Sequence, residues 1–416
     1  MSVDAHPRPS WVLRLIIVTI LVGVGSGIGG LLVSLVLHGV EHVAYGYSSG
    51  TFLDGVLASS PQRRFIALCI AGVVGAFGWW ALRRWGRPVV SVERGVGGTR
   101  MPPLTTVLNA TLQIVVVGLG ASVGREVAPR ELGALVGGWL SDRAGLTARE
   151  RRILVACGAG AGLAAVYNVP LSGAVFAVEI LLAELSIATV LPALATAGIA
   201  TLVARVGVPA EPLYVVPQLS VSPSLLVWSA IAGPLLGFAA LGFVQLVDFA
   251  GDHRPGGWRI LAIMPIAFAI VGLLSIVLPE ILGNGRALGQ VAFSSALTLG
   301  MLAVTALAKV IATAGTIGSG AAGGTLTPAL AIGAALGVVL GGCWSLLWPG
   351  SPAAAFAFVA GAAFLASSLR APLTAVILVV EFTGQGPVIL LPTLVAVAGS
   401  IAVTHYFGLR ALVGID

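Results

Sequence analysis

Apolar residues fall in long runs along this 416-residue chain, separated by short Gly- and Pro-containing breaks instead of hydrophilic loops. Runs suited to helices cover residues 11–37, 64–82, 104–123, 129–141, 153–165, 171–203, 224–247, 260–282, 296–315, 328–348, 353–368, 372–383 and 388–407. About 20 apolar residues are needed to cross the ~30 Å hydrocarbon core of a bilayer. The longer runs meet that length; 129–141, 153–165, 353–368 and 372–383 do not. Helices that stop at membrane depth are tolerated only where protein or a watery cavity satisfies the freed backbone. The pattern predicts an all-α polytopic membrane protein with a pathway inside the bilayer. The first run, Leu15 to Leu37, follows a polar start carrying Arg8 and Arg14. It is too long for a signal-peptide core and has no convincing cleavage site, so it reads as a retained first helix behind a cytoplasmic tail, residues 1–10.

The runs also repeat. NVPLSGAVFAVE (168–179) matches RAPLTAVILVVE (370–381), with Pro170 on Pro372 and Glu179 on Glu381 at an offset of 202. GREVAPRELGALVG (124–137) matches GTLTPALAIGAALG (324–337), with Gly124, Gly133 and Gly137 on Gly324, Gly333 and Gly337 at an offset of 200. Two blocks at nearly one offset indicate a duplication, with a first membrane repeat over 11–205 and a second over 224–410. Duplicated membrane halves commonly form inverted-topology repeats whose broken helices meet at the midplane, where the substrate binds. GREVAP and GTLTP are such a pair of breaks at matching positions.

Composition narrows the function. The chain is 57% hydrophobic and 9% charged, with mean hydropathy +1.03. Soluble proteins carry about 25% charged residues, so a soluble enzyme is excluded. The net charge of +6 comes from 21 arginines and Lys309 against 16 acids. The arginines cluster between apolar runs, as in Arg63-Arg64 and Arg151-Arg152, which is how topology-setting loop charges are distributed. No basic face interleaved with aromatics points to nucleic acid. Cys69, Cys157 and Cys343 are isolated and His38, His42 and His405 scattered, so neither a disulfide nor a metal or cofactor is expected.

The breaks carry the chemistry. Each puts a Gly-led turn before an apolar helix, with Pro129 or Pro328 in the first helical turn, where a missing N–H costs nothing. The first backbone N–H groups of each helix are then unpaired, and each helix end carries roughly half a positive charge. That arrangement favours an anion without burying a full cation. A third Gly-rich turn, GVGGT at 95–99, precedes another apolar segment and is expected to contribute similarly. Gly133, Gly137, Gly333 and Gly337 form small-xxx-small patterns that serve helix packing; Gly124 and Gly324 precede the helices and need another reason. Glu126 stands out on physics alone. A charged side chain at the helix centre costs ~2.5–3.5 kcal/mol on insertion scales, and its ionised carboxylate resembles the anion that helix ends attract. Glu179 and Glu381, being repeat-equivalent, fit a structural role, as do Lys309 and Arg370. Glu184, in the middle of a long apolar run, is a candidate for an inner proton route.

GREVAP with Glu126, the downstream GTLTP, and AAVYNVPLSGAVFAVE together resemble the CLC family of chloride channels and proton–chloride antiporters, over residues 20 to 410. The resemblance implies a transmembrane path for chloride or another small anion, a homodimer, a place in the plasma or inner membrane, and no enzymatic activity. It makes Glu126 the external gate. It assigns the anion to backbone amides of Arg125, Glu126, Val127, Thr325, Leu326 and Thr327, and places the family's first turn on residues 95–99, with Val96 and Gly97 as anion-binding candidates. Several positions depart from the family pattern. Val96 replaces a serine, Val127-Ala128 replaces Gly-Pro, Leu326 replaces phenylalanine, and Val413 falls near the central tyrosine, with Tyr406 close by. Ile180 stands where the antiporters carry their inner proton-transfer glutamate, and, with the sequence ending at Asp416, the cytoplasmic regulatory domain of many relatives is not expected.

Three transport readings stay open at this point: proton-coupled antiport, an uncoupled anion channel, and a fluoride-type transporter. A non-CLC secondary transporter or a membrane sensor is the reading from a different class. No Ser/His or Asp/His spacing supplies an enzyme's second converging group.

Overall fold

The computed structural model describes the backbone from Pro9 to Val413 and the side chains of residues 11–408. Most of the expected tail, and the side chain of Val413, lie outside the described residues. Among the described residues seventeen α-helices follow in order. The first nine are α1 (Pro9–Tyr45), α2 (Phe52–Ala58), α3 (Pro61–Trp85), α4 (Val92–Val96), α5 (Pro103–Gly118), α6 (Val127–Arg143), α7 (Ala148–Tyr167), α8 (Pro170–Phe176) and α9 (Ile187–Ala204). Then come α10 (Pro223–Asp252), α11 (Ile260–Val277), α12 (Arg286–Ser294), α13 (Leu299–Gly318), α14 (Leu326–Ser345), α15 (Ala353–Leu369), α16 (Pro372–Thr383) and α17 (Leu390–Val413). Among the described residues there is no strand, only one isolated antiparallel bridge between Gly124 and Gly324. Among the described residues eight helices are long and apolar enough to cross a membrane. This is a multi-pass membrane protein.

Local chemistry sets the boundaries. Pro61, Pro170, Pro223 and Pro372 open their helices, where the fixed φ suits the first turn. Thr147 and Glu150 close a capping box on α7. The first helix runs eight residues beyond the apolar run, to Tyr45. Its 37 residues span about 55 Å, longer than a bilayer core, so it must tilt or project. The expected single run 171–203 divides instead. α8 passes into a π-helical turn, Ala177–Leu182, left-handed Ala183 (φ +50) ends that turn, and α9 starts after Ser186.

The offset of the sequence repeat reappears in the backbone. Asn168 ends α7 at φ +55 and Arg370 ends α15 at φ +54. Each precedes a proline-initiated helix two residues later. Gly120 and Gly320 share φ +108 and +103.

The helices form two compact units that interleave along the chain. One comprises residues 1–34, 88–110 and 129–210; the other comprises 35–87, 111–128 and 211–416. In the first, α6 lies antiparallel on α7. A Cβ on Gly133 would strike Gly158 O, one on Gly137 would strike Leu154 O, and one on Gly162 would strike Pro129 O. In the second, α14 lies antiparallel on α15, with Gly333 against Phe364 and Gly341 against Phe356. The small-xxx-small glycines thus let helix backbones touch.

Candidate functional site

The site grows from two broken helices of the second unit. α5 stops at Gly118, Gly120 turns left-handed, and the chain runs through Gly124 before α6 begins at Val127. α13 stops at Gly318, Gly320 turns the same way, and α14 begins at Leu326. The two breaks pair: Gly124 N–H donates to Gly324 O at 2.7 Å, and Gly324 N–H donates to Gly124 O at 3.0 Å. A Cβ on either glycine would collide with the Glu126 carboxylate. That close approach is the reason the packing role left unexplained for Gly124 and Gly324.

Glu126 is fully buried. Its Oε1 accepts the Leu326 N–H at 2.7 Å and its Oε2 accepts the Thr327 hydroxyl at 3.4 Å. Thr325, at the N-cap of α14, makes no side-chain cap bond. The carboxylate from 200 residues away serves that end instead. An unpaired helix N-terminus attracts negative charge, and here the Glu126 carboxylate meets it.

The other residues expected to bind the anion fall around this point. Arg125 is buried beside Glu126, close enough to Glu41 and Arg286 to interact electrostatically. Val127 opens α6, and Pro129 and Pro328 each stand third in their helices. Thr325 O accepts the Ala329 N–H at 2.8 Å, and Leu326 and Thr327 are buried in the first turn of α14.

Val96 and Gly97 fall differently. Residues 95–99 close the C-terminal end of α4 instead of opening a helix. Gly97 N–H donates to Glu93 O, Gly98 N–H to Gly95 O and Thr99 N–H to Arg94 O. These amides are occupied by α4's own carbonyls. The amino end of that short helix is at Ser91, whose hydroxyl accepts the Arg94 N–H. The hydropathy pattern concealed this because α4 has only five residues and two charges.

The remaining carboxyls separate clearly. Glu184 is not mid-helix. It lies in the break after the π-helical turn, ion-paired with Arg149 at 2.9 Å and accepting the Ser186 hydroxyl. Glu179 lies within that turn and Glu381 within α16, both partly buried. The hydropathy pattern gave no mark to Glu131, five residues beyond Glu126. It is buried, with its two oxygens 3.1 and 2.9 Å from Asn109 Nδ2. The available signal was on α5, where Thr106, Asn109 and Gln113 put buried polar groups on one face of an apolar helix.

The family model for voltage gated chloride channels matches residues 74–405. The chain belongs to the voltage-gated chloride channel family. A ClcB-like chloride channel protein of Ralstonia nicotianae is 31% identical over 348 residues, 80% of this chain and 79% of the relative. A voltage-gated ClC-type chloride channel, ClcB, of Citrobacter koseri is 28% identical over 391 residues, 89% of this chain and 91% of the relative. Among solved structures, a slow cyanobacterial Cl⁻/H⁺ antiporter superposes with a TM-score of 0.83 at 22% identity, over 97% of this chain and 96% of that one. A CLC-type fluoride/proton antiporter superposes with a TM-score of 0.75 at 20% identity, over 96% and 97%. The fold is that of CLC transporters.

Proposed function

We propose that this chain moves chloride or another small anion across a membrane in the CLC manner, with Glu126 as a protonatable gate. One observation carries the reading: the Glu126 carboxylate accepts the Leu326 N–H at the amino end of α14. While ionised, the carboxylate fills the seat and excludes the anion. Protonation removes the charge that the helix end attracts, and the side chain yields the seat. The anion then meets backbone N–H groups of Arg125, Val127, Thr325, Leu326 and Thr327. No fixed cation is needed in the seat itself, so the ion is held without being trapped.

The same swing gives a route to proton coupling, because each opening takes up a proton that closing releases. The solved relatives named as Cl⁻/H⁺ and fluoride/proton antiporters favour coupling. The curated relatives are named as channels. We further infer a homodimer in the plasma or inner membrane, on family resemblance and on the exposed apolar side chains of Ile187, Leu191 and Leu194 along α9.

Proteoliposomes with chloride, fluoride or nitrate gradients test the proposal, recording anion efflux together with internal pH. Efflux of at least one anion is expected, and none with all three would refute the function. Efflux without linked proton movement would leave an uncoupled channel. Glu126→Gln is expected to abolish the pH dependence of efflux while anions still pass. A mutant with wild-type pH dependence would remove Glu126 from the gate.

A further inference from the structure

Lys309 is the chain's single lysine, and it is fully buried in α13, one of the apolar spanning helices. An ammonium buried among apolar helices is costly, and ionisable residues placed there are functional by default. Among the described residues its Nζ has two hydrogen-bond partners, Ile281 O at 2.8 Å and Gly283 O at 2.7 Å, and neither is an acid. Both carbonyls belong to the irregular loop between α11 and α12. This loop contains a 3₁₀ turn, Pro279–Ile281, and two left-handed glycines, Gly283 (φ +66) and Gly285 (φ +100). Pro279 O and Gly285 O accept the Leu282 and Gly289 N–H groups, and the buried lysine takes Ile281 O and Gly283 O.

That loop touches both breaks. Gly283 accepts from Lys309 through its oxygen and donates through its N–H to Gly120 O at 3.0 Å. Gly120 is the left-handed residue that starts the break leading to Gly124 and Glu126. Two residues along the loop, a Cβ on Gly285 would stand 3.1 Å from Thr327 O and 3.2 Å from Pro328 Cα, in the first turn of α14. One turn further along α13, the Thr313 hydroxyl approaches Ser122 Oγ, inside the first break, at 3.4 Å. The sequence repeat adds an independent mark. At the offset of 200, Lys309 occupies the place of Asn109, one of the buried polar residues on the helix before the other break.

We propose that Lys309 is a positioning residue for anion transport: its two bonds fix the 279–285 loop, which fixes Gly120 and the first turn of α14 and so sets the spacing of the seat. This rests on the proposed transport function. The lysine touches neither the gate nor the ion; it acts through backbone. A displacement of about 1 Å in groups that position a substrate can cost on the order of 100-fold, so even a partial release of the loop is measurable.

Lys309→Met removes both donors at similar volume, and Lys309→Gln keeps an N–H donor pair without charge. In proteoliposomes, Lys309→Met is expected to raise the half-saturating chloride concentration by about tenfold or more. Lys309→Gln is expected to recover at least half of that loss on a logarithmic scale. A folded Lys309→Met protein with wild-type half-saturation would overturn the proposal. So would a Lys309→Gln protein as impaired as Lys309→Met, because the charge and not the bonds would then matter. Should Lys309→Met fail to fold, Lys309→Gln decides alone: within threefold of wild type supports the brace, and a tenfold rise overturns it. Amide hydrogen exchange separates this from a failure of the transport reading. Lys309→Met, or Lys309→Gln to a smaller extent, is expected to speed exchange in residues 119–124 and 279–285 even if no anion moves. Unchanged exchange in both segments overturns the brace.

Discussion

At the scale of the residue, two buried carboxyls on either side of one helix start are held in different ways. Glu126 is held by a backbone N–H at a helix end, a partner that an anion or a water can replace. Glu131 is held by the amide of Asn109, fixed on a packed helix. The first arrangement suits a gate and the second suits a brace. Removing one partner of a buried polar pair costs ~1–3 kcal/mol, more when a charge is stranded, whereas exchanging it for another bonding group costs little. Asn109→Leu is therefore expected to destabilise the protein by about 3 kcal/mol, and Glu131→Gln by under about 1 kcal/mol. Denaturant unfolding in detergent measures both. Equal losses would show that Glu131 is not held by Asn109. Glu126 was legible in the sequence because it follows a glycine break that recurs 200 residues later. Glu131 was not, because no local pattern separates a bonded buried acid from one facing water. Only the partner on α5 makes the distinction.

At the scale of the element, hydropathy located the long helices and misread places where chain direction changes inside an apolar run. The division of 171–203 depends on Ala183 at φ +50, a conformation that alanine rarely adopts and that hydropathy does not record. The placement of residues 95–99 failed for a related reason, since a Gly-rich turn can open a helix or close one. Only the carbonyls that its amides meet decide between them. The packing glycines were legible, and the structure separates them from a glycine in open space. Gly133 faces backbone atoms of Gly158, and a Cβ on Gly333 would meet Phe364 Cβ and the backbone oxygen of Ala360, none of which can move aside freely. Overpacking costs typically 1–3 kcal/mol and more where nothing yields. Gly133→Ala and Gly333→Ala are each expected to cost about 3 kcal/mol. Gly242→Ala on α10, with open space around it, should be neutral or stabilising by up to ~1 kcal/mol. Thermal unfolding of the three variants checks the order, and a Gly133→Ala protein as stable as Gly242→Ala would break the assignment of the α6–α7 contact.

At the scale of the whole molecule, low charge and long apolar runs made the membrane class legible, and the recurring offset made the duplication legible. The interleaving of the two compact units was not, because it depends on which faces pack, and hydropathy is blind to partner choice. The duplication nonetheless makes a demand on function that either half alone would not. Gly120 and Gly320 share a left-handed turn, and Gly124 and Gly324 bond each other reciprocally. Glu126 falls on Leu326 at the same offset, and it is the Leu326 N–H that holds its carboxylate. If the breaks are equivalent, a carboxylate at position 326 reaches the N–H of residue 126 by the same path in reverse. Glu126→Leu should pass anions without pH dependence. The double variant Glu126→Leu/Leu326→Glu should regain pH-dependent efflux from the opposite break, with its midpoint moved because its surroundings differ. Rates of chloride efflux from proteoliposomes across pH 4 to pH 8 measure this. A double variant indistinguishable from Glu126→Leu would mean that the gate depends on the particular surroundings of the first break and not on the symmetry of the pair.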